Sequence, residues 1–141
     1  MHNYQKDDLC VVCVKYGNKY GADYVNKLFS MVKKHLPRQH DFICFTENPS
    51  GLDPEIEVVD LFQDKPGESH NFRKDWKLWW SKVNIFDGYN YRFKVSEEKP
   101  QISVLYIDLD MIITGDISPI LDSYRGDFST LTTNDIFCEQ T

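Results

Sequence analysis

Short apolar runs, separated by turn-rich segments, constrain the fold of this chain more than any other feature. A continuous apolar run of about six residues, bounded by glycine, proline or acidic residues, is typical of a strand that is covered on both faces. Four such runs predict strands, namely Leu9–Val14, Asp41–Glu47, Ile56–Leu61 and Ser103–Ile107. A further strand is predicted at Phe128–Leu131.

Helical patterns lie between these runs. The first is formed by Val25, Leu28, Phe29, Val32 and Leu36, and Pro37 ends it. The second is formed by Trp76, Trp79, Trp80, Val83 and Phe86. An order of strand, helix, strand, strand, helix, strand predicts one α/β domain, over residues 1–141, with a mostly parallel sheet flanked by helices. Ligands of such sheets bind outside the carboxyl ends of the strands.

Composition and charge exclude several classes of function. The chain has 141 residues, of which 41% are hydrophobic and 14% aromatic, which is enough for a real core. Its formal net charge of −6 argues against a nucleic-acid-binding surface. The polar start, MHNYQKDDLC, has no apolar segment of the kind a signal peptide needs, and no run is long enough to span a bilayer. The expectation is therefore a cytoplasmic protein without a membrane span.

The cysteine pattern is interpreted as structural. Cys10 and Cys13 form a C-x-x-C, which in other contexts indicates a zinc site or a redox pair. Here both lie in a predicted strand, where a spacing of three residues puts their side chains on opposite faces. We expect buried free thiols.

Two aspartates interrupt an apolar stretch in VLYIDLDMIITGD, where Asp108 and Asp110 follow the predicted strand Ser103–Ile107. In an extended chain, residues two apart face the same way, so the two carboxylates would repel each other unless a cation neutralised them. Mg²⁺ and Mn²⁺ prefer oxygen ligands and often take one or two carboxylates together with substrate phosphates. The alternative is a polar turn in which the aspartates cap backbone N–H groups. The apolar flanks, expected to be buried, favour the metal.

At these residues the chain resembles glycosyltransferases of the GT-A fold, particularly those related to glycosyltransferase family 8. The matching segments are VVCVKYGNKYGADYVNKLFSMVKKH, FICFTENPSGL, WWSKVNIF and VLYIDLDMIITGDISPIL. They occur in the order of the family and cover most of the chain. The resemblance implies a Rossmann-like GT-A fold that binds a nucleotide-diphospho-sugar, with a UDP-sugar as the first choice of donor. It also implies that Asp108 and Asp110 hold Mn²⁺ or Mg²⁺, with Asp110 as the firmer ligand and Asp108 shared with the donor.

Two further donor-binding residues follow from the resemblance. Tyr16 matches the turn that holds the nucleotide base and ribose, and its ring could stack on a base; the alternative is that Tyr16 packs over the turn. Lys82 matches a lysine that faces the donor, where a cation offsets the charge of the diphosphate. The alternative for Lys82 is a solvated helix residue.

The sequence departs from the family in its length beyond the D-x-D motif. Family members usually continue into an acceptor-binding half, which often supplies a histidine to the metal. Here all four histidines precede Asp108. The expectation is a GT-A-like domain that is incomplete at its C-terminus. The acceptor and the catalytic residues are not predicted.

Two other functions are open at this point. One is a nucleotide-sugar-binding remnant without transfer activity. The other is a phosphatase similar to the haloacid dehalogenases, in which the first aspartate of a D-x-D is the nucleophile. Ile112 stands where those enzymes usually have threonine or valine, and their motif normally lies near the start of the chain, so this alternative is disfavoured.

Overall fold

The computed structural model of the chain describes residues 9–61 and 103–124. In these two ranges the four strands and the one helix predicted there from the apolar pattern are present, together with a short helix, Ser118–Asp122, that was not predicted. The elements in chain order are β1 (Leu9–Lys15), α1 (Ala22–His35), β2 (Asp41–Thr46), β3 (Glu57–Asp60), β4 (Ser103–Tyr106) and α2 (Ser118–Asp122). The predicted tryptophan-bearing helix and the predicted strand Phe128–Leu131 lie outside the described residues.

The four strands form one sheet in which every pairing is parallel, in the order β3-β2-β1-β4. The prediction of an α/β fold with a parallel sheet is therefore confirmed. The chain runs outward from β1 to β2 and β3, and then β4 returns to the other side of β1. The strand order thus reverses between β1 and β4, and open parallel sheets bind ligands outside the carboxyl ends of their strands at such a point, here called the crevice.

The central strand β1 is buried along its whole length. Its alternating side chains enter two separate cores. Leu9, Val11 and Cys13 pack on the side of α1, here called the α1-side core, and Cys10 and Val12 pack in the opposite core. Cys10, Cys13 and Cys44 are buried and form no disulfide within the described ranges, and the two cysteines of the C-x-x-C occupy different faces, as predicted.

Helix α1 covers one face of the sheet through the apolar stripe that its sequence predicts. Val25, Leu28, Phe29 and Val32 are its buried residues. Phe29 contacts Phe42 of β2 edge to face, with ring centroids 5.2 Å apart. The helix ends at His35, where the N–H of Leu36 bonds to the carbonyl of Val32 at 2.8 Å, and Pro37 follows.

The segment after β1 was expected to be a turn and is one, whereas the flanks of the aspartates differ from expectation. All four residues of β4 are half-buried rather than buried on both faces. Met111 is 49% exposed and Ile112 is 78% exposed. The prediction that both flanks are buried is therefore wrong. β4 pairs with β1 on one edge, and the chain turns away from the sheet after Asp108, so Met111 and Ile112 no longer lie against the sheet.

Neither of the helices in the described ranges has the length and apolar character needed to cross a bilayer.

Candidate functional site

The aspartate pair lies at the carboxyl end of β4, in a turn directly beside β1. The N–H of Ile107 bonds to the carbonyl of Val12 at 3.0 Å, which continues the pairing to β1 one residue beyond the strand. The N–H of Met111 then bonds to the carbonyl of Asp108 at 3.2 Å and closes the turn. Leu109, between the aspartates, is buried in the α1-side core. This anchor leaves Asp108 half-buried and Asp110 exposed.

Asp108 accepts a hydrogen bond from the hydroxyl of Tyr106 at 2.5 Å. A spacing of two residues puts both side chains on the same side of the extended chain. Burial raises the pKa of Tyr106 well above its ordinary value, and the hydrogen bond and the negative charges of Asp108 and Asp110 raise it further. The phenol therefore keeps its proton at every physiological pH and stays a donor that orients the carboxylate of Asp108.

Asp110 is contacted by a tyrosine from a distant part of the sequence. The hydroxyl of Tyr20, in the loop between β1 and α1, donates to Oδ2 of Asp110 at 3.3 Å. The ring of Tyr20 packs against the α1-side core and lies 4.8 Å from the ring of Tyr24. Nζ of Lys19 lies 5.1 Å from the centroid of the Tyr20 ring. Tyr20 thus connects the turn after β1 to the turn after β4.

Sequence reasoning singled out Tyr16 in this loop and missed Tyr20. Tyr16 packs against the opposite core, as does Tyr106. Both the contact of Tyr16 with a base and its alternative, packing over the turn, stay predictions. Lys82 lies outside the described residues. The available indication for Tyr20 was its place in the same turn, four residues beyond Tyr16.

The turn after β1 is tied to the end of β2. Gly17 adopts φ +68°, a left-handed conformation that side chains disfavour, and no atom would lie within 4 Å of a Cβ at this position. Its N–H donates to Oε1 of Glu47 at 2.6 Å. Backbone conformation, rather than lack of space, is therefore the reason for glycine here.

The residues present fit a divalent cation that is shared with a ligand. Within 9–61 and 103–124 there is no group of three or more histidine, cysteine or acidic side chains that could hold a metal ion alone. Asp108 and Asp110 together make a donor set of two carboxylates, which is what Mg²⁺ commonly takes when substrate phosphates complete its coordination. A carboxylate can accept about four hydrogen bonds or metal contacts, so the tyrosine hydroxyls do not exhaust either group.

Comparison with known proteins adds no relative. No protein-family model matches the chain, no curated protein matches it, and no solved structure matches it.

Proposed function

We propose that this chain is the donor-binding part of a metal-dependent glycosyltransferase with a GT-A fold. Its ligand would be a nucleotide-diphospho-sugar, with a UDP-sugar as the first choice from the sequence resemblance. The observation that carries the proposal is the position of Asp108 and Asp110, at the carboxyl end of β4 and beside the point where the strand order reverses. Parallel sheets bind nucleotides at such points.

The carboxylates need a cation before they can accept a diphosphate. Two unit charges of the same sign about 4 Å apart repel by roughly 4 kcal/mol in the effective dielectric of a protein surface. A diphosphate brought to Asp108 and Asp110 would meet repulsion of this order. Mn²⁺ or Mg²⁺ held by the two aspartates would neutralise the diphosphate and stabilise the nucleotide as it leaves the sugar.

The remaining residues have supporting roles. Tyr106 holds the half-buried Asp108 in one orientation through its 2.5 Å hydrogen bond. Tyr20 makes a longer contact, 3.3 Å, with the exposed Asp110, which leaves that carboxylate freer to turn toward a metal. Tyr16 and Lys82 are assigned, from the resemblance, to the base and the diphosphate.

Calorimetric titration of UDP into the 141-residue chain, with Mn²⁺ and then with a chelator, tests this function. We expect affinity that depends on the metal. Asp110→Asn should weaken UDP binding more than Asp108→Asn, since Asp110 is the exposed carboxylate and the expected main ligand.

Asp116→Asn is a matched control for these variants. Asp116 is an exposed aspartate of the same segment, and its carboxylate accepts a hydrogen bond from the N–H of Ser118 at 2.8 Å. Its substitution should leave UDP affinity unchanged. Equal affinity with and without metal, or equal losses in all three variants, would refute the proposed site.

A further inference from the structure

Lys15, the last residue of β1, is an unusual buried charge. It is 5% exposed, and among the residues that the structure describes it is the only charged side chain that is buried. The ammonium group of lysine is strongly hydrated, and its burial without a partner is costly. A lysine is therefore not the residue that packing alone would place at this position.

No anionic partner for this lysine is found in the described part of the chain. None of the ion pairs there involves Lys15. Its neighbour across the sheet is Thr46 of β2, whose hydroxyl is engaged with the backbone of Asn48. Within the same ranges, the only buried side-chain polar atom that lacks a partner belongs to Ser118. Nζ of Lys15 therefore keeps contact with solvent, while the aliphatic part of the side chain is covered.

The position of Lys15 directs it toward the crevice. Alternation along β1 puts its side chain on the face of Val11 and Cys13, which is the α1-side core. Tyr20 and Leu109 pack on the same side, and they belong to the two turns that flank the crevice. A cation at the carboxyl end of β1 therefore lies on the same side of the sheet as both turns.

We propose that Lys15 is an anion-binding residue of this crevice and contacts a phosphate of the donor. This inference rests on the proposed function and adds a residue to it. A lysine ammonium binds phosphate as a point charge, and this one has no competing carboxylate among the described residues. The charge of Lys15 would also give a diphosphate some attraction before any metal is bound.

The test is a titration of inorganic pyrophosphate, and separately of UDP, into the wild-type chain and the Lys15→Met variant with Mn²⁺ present. Methionine keeps the covered aliphatic volume and removes the charge. We expect Lys15→Met to weaken the binding of both pyrophosphate and UDP about tenfold or more, which is the range for the loss of one hydrogen bond to a charged group. Uridine, which has no phosphate, should bind equally to both proteins.

Two further variants make the result specific. Lys34→Met removes an exposed lysine of α1 and should leave both affinities unchanged. Lys15→Arg keeps the charge and should retain more affinity for both ligands than Lys15→Met does. If Lys15→Met does not fold, as judged by circular dichroism, Lys15→Gln replaces it with the same expectation.

The outcomes separate this inference from the function on which it rests. If the wild-type chain binds UDP in a metal-dependent way and Lys15→Met binds equally well, Lys15 only extends its amine to solvent and the inference is wrong. If the wild-type chain binds neither UDP nor pyrophosphate, the proposed function is wrong and the inference falls with it.

Discussion

The hydrogen bond between Tyr106 and Asp108 should be measurable as a coupling energy in folding. Hydrogen bonds to charged groups contribute roughly 1.5–3 kcal/mol. The 2.5 Å distance is typical of the strong, charge-assisted kind. Both residues are half-buried, so solvent screens part of this energy, and we expect a contribution of about 1 kcal/mol.

A double-mutant cycle isolates this energy. Tyr106→Phe removes the donor and should lower the free energy of unfolding by about 1 kcal/mol. Asp108→Asn keeps a neutral acceptor, so it should cost about half as much. Both single variants affect the same hydrogen bond, and the double variant loses that bond only once. Its destabilisation should therefore be smaller than the sum of the two single-variant destabilisations by several tenths of a kcal/mol or more.

Urea unfolding at neutral pH, in the presence of a chelator and followed by circular dichroism, gives the four free energies. Tyr24→Phe is the control, since Tyr24 is an exposed tyrosine outside the D-x-D turn. Its free energy of unfolding should equal that of the wild type. Additive effects of Tyr106→Phe and Asp108→Asn, within about 0.3 kcal/mol, would show that Tyr106 does not orient Asp108.

Two further predictions concern stability. Since the pKa of Tyr106 is raised above its ordinary value of 10.0, its stabilisation is complete below that pH and is lost as the pH rises above it. Between about pH 10 and 11, the free energy of unfolding should fall more steeply with pH for wild type than for Tyr106→Phe. Equal slopes, with each free energy measured by urea unfolding, would contradict this. Gly17→Ala should destabilise the chain by about 1 kcal/mol because φ is +68°. At Gly115, too, no atom would lie within 4 Å of a Cβ, but φ is not positive, so Gly115→Ala should be neutral or slightly stabilising. A lower melting temperature for Gly115→Ala than for Gly17→Ala would refute this reasoning.

The strands could be predicted from the sequence because each is a local property of its apolar run. The predicted run Leu9–Val14 became β1 with one residue added, and Ile56–Leu61 was trimmed at both ends to β3. Parallel pairing of β1 with β2 also followed, since α1 lies between them in the sequence. β2 and β3 are parallel as well, although no helix lies between them. The order of the strands in the sheet could not be predicted from the sequence. Periodicity does not tell which strand lies beside which, so the proximity of β4 to β1 became known only from the structure.

The flanks of the D-x-D motif show where local reasoning failed. Apolar composition predicted that Met111 and Ile112 are buried, whereas both are exposed. The composition of a segment says nothing about whether another element covers it, and here the chain turns away from the sheet after Asp108. Leu109 is buried, because the turn directs its side chain into the α1-side core.

The contact between Tyr20 and Asp110 was not predicted, for a similar reason. Tyr16 is closest to the end of β1, but it packs against the opposite core. Tyr20 reaches Asp110 across 90 positions of sequence. A contact of this kind depends on how the loop before α1 closes and on the position of β4, and neither is a local property of the sequence.

The two tyrosines also explain how two neighbouring carboxylates persist at the edge of a core. Each aspartate accepts a hydrogen bond from a tyrosine hydroxyl, Tyr106 for Asp108 and Tyr20 for Asp110, so neither carboxylate lacks a partner when no metal ion is bound. Because Asp108 is only half-buried and Asp110 is exposed, the desolvation free energy of the two carboxylates is also small. The turn can therefore form without a bound cation, and in the proposed function a cation would be needed only when a further negative group, the diphosphate, approaches. In the proposed function, the role of the metal thus belongs to ligand binding rather than to folding. The buried Lys15, fixed at the end of the central strand, would act on the same ligand from the protein side.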